Sequence, residues 1–179
     1  RMGGFTIPLG IRLWLREAFF RTANGEESGR RHQTPLSIAE EFLRRLPERW
    51  RKRYRIVVLG DTEFFGGAFP KVCRTLGFTL VSACQRNRQF RPDTQPRTKK
   101  NLSTYAYGLH YWNERTVRIE LGHTTRRFRV AERTGKMKNV GRVKIATSCR
   151  ADGGSLKTLV STDWMLPMKE IVFLYAQRW

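Results

Sequence analysis

Two apolar runs constrain this chain most: "YRIVVLGD" (residues 54–61) and "FTLVSACQ" (residues 78–85). The first carries the consecutive apolar residues Ile56 to Leu59, the pattern of a central strand covered on both faces. Between the runs, "TEFFGGAFPKVCRTLG" (residues 62–77) reads as a turn and then a short helix stopped by Gly77. A strand, a helix and a second strand in this order predict a βαβ unit with a parallel pair. In such units the functional site lies beyond the carboxyl ends of the strands. Asp61 ends the first strand, and Arg86 with Asn87 ends the second.

The flanking segments extend this reading. "FTIPLGIRLWL" (residues 5–15) reads as a strand or half of a hairpin, with Pro8 placing it at an edge or strand start. Residues 21–33, rich in Gly, Asn and Ser, read as an exposed loop. Thr34 then offers a cap and Pro35 suits a first helical position. Leu36, Ala39, Leu43, Leu46 and Trp50 follow at helical spacing, and Pro47 ends or kinks the helix. "RNRQFRPDTQPRTKKN" (residues 86–101) reads as a long basic loop. From 102 to 150, "STYAYGLHYW", "RTVRIELG", "RRFRVAER" and "VKIATSCR" read as short strands of an antiparallel region. "LKTLVSTD" (residues 156–163) is a further strand. Pro167 then opens a helix that puts Ile171, Leu174, Tyr175 and Arg178 on one side.

Charge decides the class of partner. Of 179 residues, 35 are Lys or Arg and 15 are Asp or Glu, giving a net charge of +20. That excess suits a polyanion and poorly suits a small neutral substrate. Arginine also forks onto phosphate oxygens in a way that lysine does not. An apolar fraction of 40% is enough for a packed core. The three cysteines, Cys73, Cys84 and Cys149, have no CxxC spacing, which argues against a disulfide framework or a zinc site and fits a reducing cytoplasm. His32, His110 and His123 are too widely spaced to suggest a metal site. No apolar run approaches membrane-spanning length, so no membrane partner is expected.

Three stretches carry a resemblance. "IVVLGDTEFF" followed by "LGFTLVSACQRN", the β-rich segment 102–150, and "TLVSTDWMLPMKEIVFLYAQRW" occur in the order seen in insertion-sequence transposases. The chain resembles the catalytic domain of the Asp-Asp-Glu type, which has a ribonuclease-H-like fold. The family's last helix runs Tyr, two residues, Arg-Trp, one residue, Ile-Glu, and Tyr175, Arg178 and Trp179 match its start. The resemblance implies an α/β fold: a ribonuclease-H-like mixed sheet flanked by helices, with an antiparallel β-rich insertion, truncated at both ends. Residues 1–101 would form the first part of the core and 102–150 the insertion. Residues 151–179 would form the last strand and the start of the catalytic helix.

The same resemblance implies a DNA transposase, which hydrolyses phosphodiesters at transposon ends and joins the 3′-hydroxyl to target DNA with two Mg2+ or Mn2+ ions. Of the three acidic ligands it assigns only one, Asp61, as catalytic and metal-binding; no Asp precedes Asp61, and the chain stops before the final Glu. This chain is therefore expected to bind double-stranded DNA without cutting it. The complete protein would act as a homodimer on DNA, in a prokaryotic cytoplasm. From residues alone, Asp61 also fits a turn aspartate capping the next helix. Glu63 reads as a turn residue in solvent, and the resemblance places Asp163 at a strand-to-helix turn, as a cap. The expected DNA contacts are Arg86, Asn87, Arg88, Arg91, Arg97, Lys99 and Lys100 beside the site, with Tyr175 and Arg178 on the last helix. Tyr105, Tyr107, Tyr111 and Trp112 alternate as a sheet face requires, although aromatics of this kind also stack on bases. A non-catalytic basic nucleic-acid-binding module is the alternative.

Overall fold

The structure, a computed structural model, describes residues 33–85 and 87–177, without the Trp112 side chain. The strand expected at residues 5–15 and the predicted contacts Arg86 and Arg178 lie outside the described residues, as does Trp179. By compactness the chain divides into two units, Arg1–Arg45 and Leu46–Trp179.

In the first unit, α1 (Pro35–Arg45) starts as its sequence dictates. Thr34 Oγ1 accepts the Ser37 backbone N–H at 3.2 Å, satisfying one of the free donors of the first turn. Ion pairs Glu40–Arg44 and Glu41–Arg45 at i,i+4 line its polar side.

The second unit is a mixed α/β fold. It contains α2 (Glu48–Arg53), β1 (Val57–Gly60), α3 (Phe69–Thr75), β2 (Thr79–Ala83), β3 (Gln89–Pro92) and β4 (Lys100–Asn101). Then follow α4 (Leu102–Asn113), β5 (Arg115–Leu121), β6 (Thr124–Met137), β7 (Gly141–Arg150), β8 (Lys157–Ser161) and α5 (Met168–Ala176). The eight described strands form one mostly antiparallel sheet in the order β1-β2-β8-β7-β6-β3-β4, with β5 also on β6. The expected parallel pair is present: β1 runs alongside β2, with Val57 opposite Thr79 and Gly60 opposite Ser82. Helix α3 connects them and ends before Gly77, whose φ of +75° is open to glycine at little cost.

Strand β6 is long enough to serve two partners along one edge. Its first half pairs with β5, from Arg115 opposite Val130 to Leu121 opposite Thr124. Its end pairs with β3, from Phe90 opposite Met137 to Pro92 opposite Gly135. A Cβ at Gly135 would meet the Phe90 ring at 2.5 Å and the Arg91 carbonyl, so glycine allows β3 to lie there. The β6–β7 turn is clamped from α3: Arg74 donates to the Val140 carbonyl at 2.5 Å and to the Arg142 carbonyl at 3.0 Å.

Helix α5 covers one face of the sheet. Met168, Ile171 and Val172 bury against Val81, Ile119, Phe128, Val130, Ala146 and Leu159. Helix α4 packs against β6 and β7, with Leu102, Ala106 and Leu109 buried.

Three expectations are corrected. The sequence predicts a strand over residues 103–112, which instead form most of α4. Asn101 Oδ1 caps the Ser103 N–H at 3.0 Å, and the buried residues recur at spacings of four and three, so the helical period wins over the tyrosine alternation. Tyr107 and Tyr111 accordingly point outward, 56% and 75% exposed. The sequence predicts a loop over residues 86–101, yet they contain β3 and β4, which pair through Gln89 with Asn101 and Phe90 with Lys100. Strand β1 has the sequence of a central strand but stands at the edge of the described sheet, with β2 as its described neighbour. Apolar residues on both faces report coverage of the faces; they carry no information about pairing in the plane of the sheet.

Candidate functional site

The carboxyl ends of β1 and β2 open into a cleft of about 650 Å³. Its walls are built by topology. Asp61 and Thr62 follow β1, and Cys84, Gln85 and Asn87 follow β2. Because β8 runs antiparallel to β2, its first residues Lys157 and Thr158 arrive at the same end. Tyr175 reaches the cleft from α5.

Gly60 shapes the approach to Asp61. A Cβ there would meet Phe64 Cβ at 2.6 Å, so the chain turns back over the strand end because the residue has no side chain. Asp61 Oδ1 accepts the Glu63 N–H at 3.2 Å, and the Asp61 carbonyl accepts the Phe64 N–H at 3.2 Å. The Ser82 hydroxyl also donates to the Asp61 carbonyl, tying the turn to β2. The carboxylate thus stabilises its own turn, an Asx arrangement, while lining the cleft. Asp61 therefore has a turn role, but it does not cap the next helix, α3, which starts after Ala68 without a side-chain cap.

Asp61 is the one acidic residue lining the cleft among the described residues. Cys84 supplies no nucleophile, since burial pushes its thiol up to about 12, against a smaller opposing pull from Arg88 and the Gln85 backbone. Asp163 is paired with Arg55 at 2.8 Å and its Oδ1 accepts the Met165 N–H, a turn role as expected. Glu63 is exposed.

The predicted DNA contacts fall in different places. Asn87 and Tyr175 join Asp61 in the cleft. Arg88 donates to the Phe65 carbonyl at 3.2 Å and so braces the turn after Asp61. Arg91 and Lys100 sit on β3 and β4, with Arg97 and Lys99 exposed between them. Although five pairings separate β3 from β1 in strand order, β3 begins at Gln89, two residues after the cleft-lining Asn87, so its start lies within about 7 Å of the cleft wall.

Sequence reasoning missed Lys157 in the cleft and further cations that the sheet places beyond it. Lys157 and Tyr175 also line an adjoining hollow of about 430 Å³, floored by Leu121, Phe128 and Leu159, with Arg126 and Arg150 among its walls. Arg150 is held by Asp152 at 2.5 Å. On β5 and β6, Arg118 stands directly opposite Arg127, and both are exposed. Like charges facing each other across strands are destabilising. Among the described residues neither arginine forms an ion pair with a carboxylate. The only signal for them in the sequence is arginine recurring within strand-like segments.

No helix among the described residues is long and apolar enough to cross a membrane. In comparisons with known proteins, no family model matches this chain and no curated protein matches it.

Proposed function

We propose that this chain binds double-stranded DNA, and that it is part of the catalytic domain of an Asp-Asp-Glu insertion-sequence transposase with a ribonuclease-H-like core. One observation carries the reading: Asp61, at the carboxyl end of a parallel strand, shares a cleft with Tyr175 of the last helix, a residue far away in sequence. That is the arrangement the sequence resemblance implies. The cations Lys157, Arg126 and Arg150 beside the cleft, and the facing pair Arg118 and Arg127, support a polyanionic partner. The DNA would be transposon ends and target, engaged by a homodimer.

The chemistry such an enzyme performs takes a pair of Mg2+ or Mn2+ ions, which activate the attacking oxygen and stabilise the leaving one. Magnesium is held through carboxylate oxygens with several retained waters. The described residues do not make that centre: they bring one carboxylate, Asp61, to the cleft, and no group of three or more His, Cys, Asp or Glu among them is placed to hold a metal. The function proposed for this chain by itself is therefore binding without strand cleavage. Purified protein with supercoiled plasmid and magnesium should retard the plasmid in a gel and leave it unnicked. Retardation together with magnesium-dependent nicking would contradict the assignment.

The second reading, a basic module with no catalytic ancestry, is favoured by the hydrogen bond that Asp61 accepts from the Glu63 N–H, which gives the aspartate a role in its own turn. It differs in expecting the Asp61 charge to have no effect on bound DNA.

A further inference from the structure

Helix α4 holds a glycine that packing does not require. Glycine inside a helix is destabilising relative to alanine. Among the described residues, a Cβ added at Gly108 would meet nothing within 4 Å, and its φ is not in the left-handed region. Neither close packing among those residues nor backbone geometry accounts for it. Gly108 lines a groove of about 560 Å³ between α4 and the sheet, together with Lys100, Asn101, Tyr105, Asn113 and Arg133.

The groove is cationic. It contains Lys100 and Arg133, and no carboxylate lines it among the described residues. Among those residues Arg133 Nε is buried without a hydrogen-bond partner, an unusual state for a guanidinium, because a buried donor left unsatisfied costs free energy. The Lys100 ammonium is held 5.4 Å over the Tyr105 ring, and that ring lies 5.3 Å from Phe90. Tyr105 therefore positions a cation instead of offering a free stacking face. Two fixed positive groups, an orphaned donor and a helix surface stripped of its side chain suit a phosphodiester backbone pressed closely against the helix.

We propose that this groove is a second DNA-binding site, in which the sugar–phosphate backbone crosses α4 at Gly108 with its phosphates at Lys100 and Arg133. The inference rests on the reading of the chain as a DNA-binding protein. The groove shares no lining residue with the Asp61 cleft, although the Leu102 N–H donates to the Arg88 carbonyl at 2.8 Å and so ties the groove's rim to the segment that carries Asn87.

The test compares duplex affinities across a salt titration, with melting curves to show that each variant is folded. Lys100→Gln with Arg133→Gln should weaken binding and reduce the log–log salt slope by about two, one for each phosphate that is no longer neutralised. Should the Arg133 change impair folding, Gly108→Leu provides the independent arm: it adds bulk on an open surface without changing charge. It should weaken binding about tenfold while Gly108→Ala, which only favours the helix, binds nearly as wild type. Unchanged affinity and slope in the folded groove variants, with binding still sensitive to Lys157→Gln, would overturn the second site and leave the cleft intact. A wild-type chain that binds no DNA would overturn both.

Discussion

Raising the salt from about 50 to 200 mM should weaken binding of this chain to a DNA duplex by roughly 10³-fold, the loss expected when about six phosphates are neutralised. The estimate follows from which cations are available. Lys157, Arg126 and Arg150 gather at the Asp61 cleft and the hollow beside it, Arg118 and Arg127 face each other on the β5–β6 hairpin, and Lys100 stands in the α4 groove. Each phosphate contact releases condensed counterions, so affinity falls as a power of salt concentration. Arg150 contributes less than its formal charge, since Asp152 pairs with it. A filter-binding or anisotropy titration at several salt concentrations measures the slope. A slope near zero would mean that the net charge of +20 is a solvated surface with no polyanion to meet.

The second large effect is on stability. Ile171→Ala should destabilise the protein by about 2–5 kcal/mol, the range for deleting a fully buried isoleucine side chain. Ile171 is fully buried among Val81, Ile119, Phe128 and Leu159, so α5 is held to the sheet at its centre. In a domain of this size, the loss corresponds to a Tm drop of roughly 6–20 °C by thermal unfolding. The same helix delivers Tyr175 to the cleft, which links packing to function. Well below its melting temperature the variant should bind DNA nearly as wild type, since no cation is removed. A Tm within a degree or two of wild type would show that α5 is not anchored as the core implies.

Much of the fold was legible because local signals agreed with one another. The runs around Leu59 and Val81, with Gly77 between, specify the parallel pair. Thr34 and Pro167 mark helix starts that occur where expected. Helix α4 was not legible in the same way. Tyr105, Tyr107 and Tyr111 alternate as a strand would, while the residues that are buried, Leu102, Ala106 and Leu109, follow the helical period. Large aromatics dominate the pattern by eye, but the small and aliphatic residues beneath them set the packing. The edge position of β1 was also hidden, because an apolar strand records which faces are covered and nothing about its in-plane neighbours.

The site was legible to the extent that it depends on strand ends. Asp61, Asn87 and Tyr175 meet in one cleft. Lys157, which lines the cleft, and Arg126 and Arg150, which line the hollow beside it, were missed because long-range antiparallel pairing brings them together. Lys157 reaches the cleft through the β2–β8 register, with Ala83 opposite Leu159, a pairing that no local spacing announces. The basic run 86–101 misled in the opposite sense: it reads as one loop, but it folds into β3 and β4, so that Asn87 lines the cleft while Arg91 and Lys100 belong to paired strands.

The central claim is that the Asp61 carboxylate faces bound DNA, and Asp61→Asn tests it. The amide oxygen of asparagine can still accept the Glu63 N–H, so the turn survives while the negative charge is removed. Removing a charge about 4 Å from a phosphate relieves about 1 kcal/mol of repulsion in water, roughly fivefold in affinity. Measured without metal, the variant should bind a duplex about fivefold more tightly than wild type. Equal affinities for folded wild type and Asp61→Asn would contradict the account.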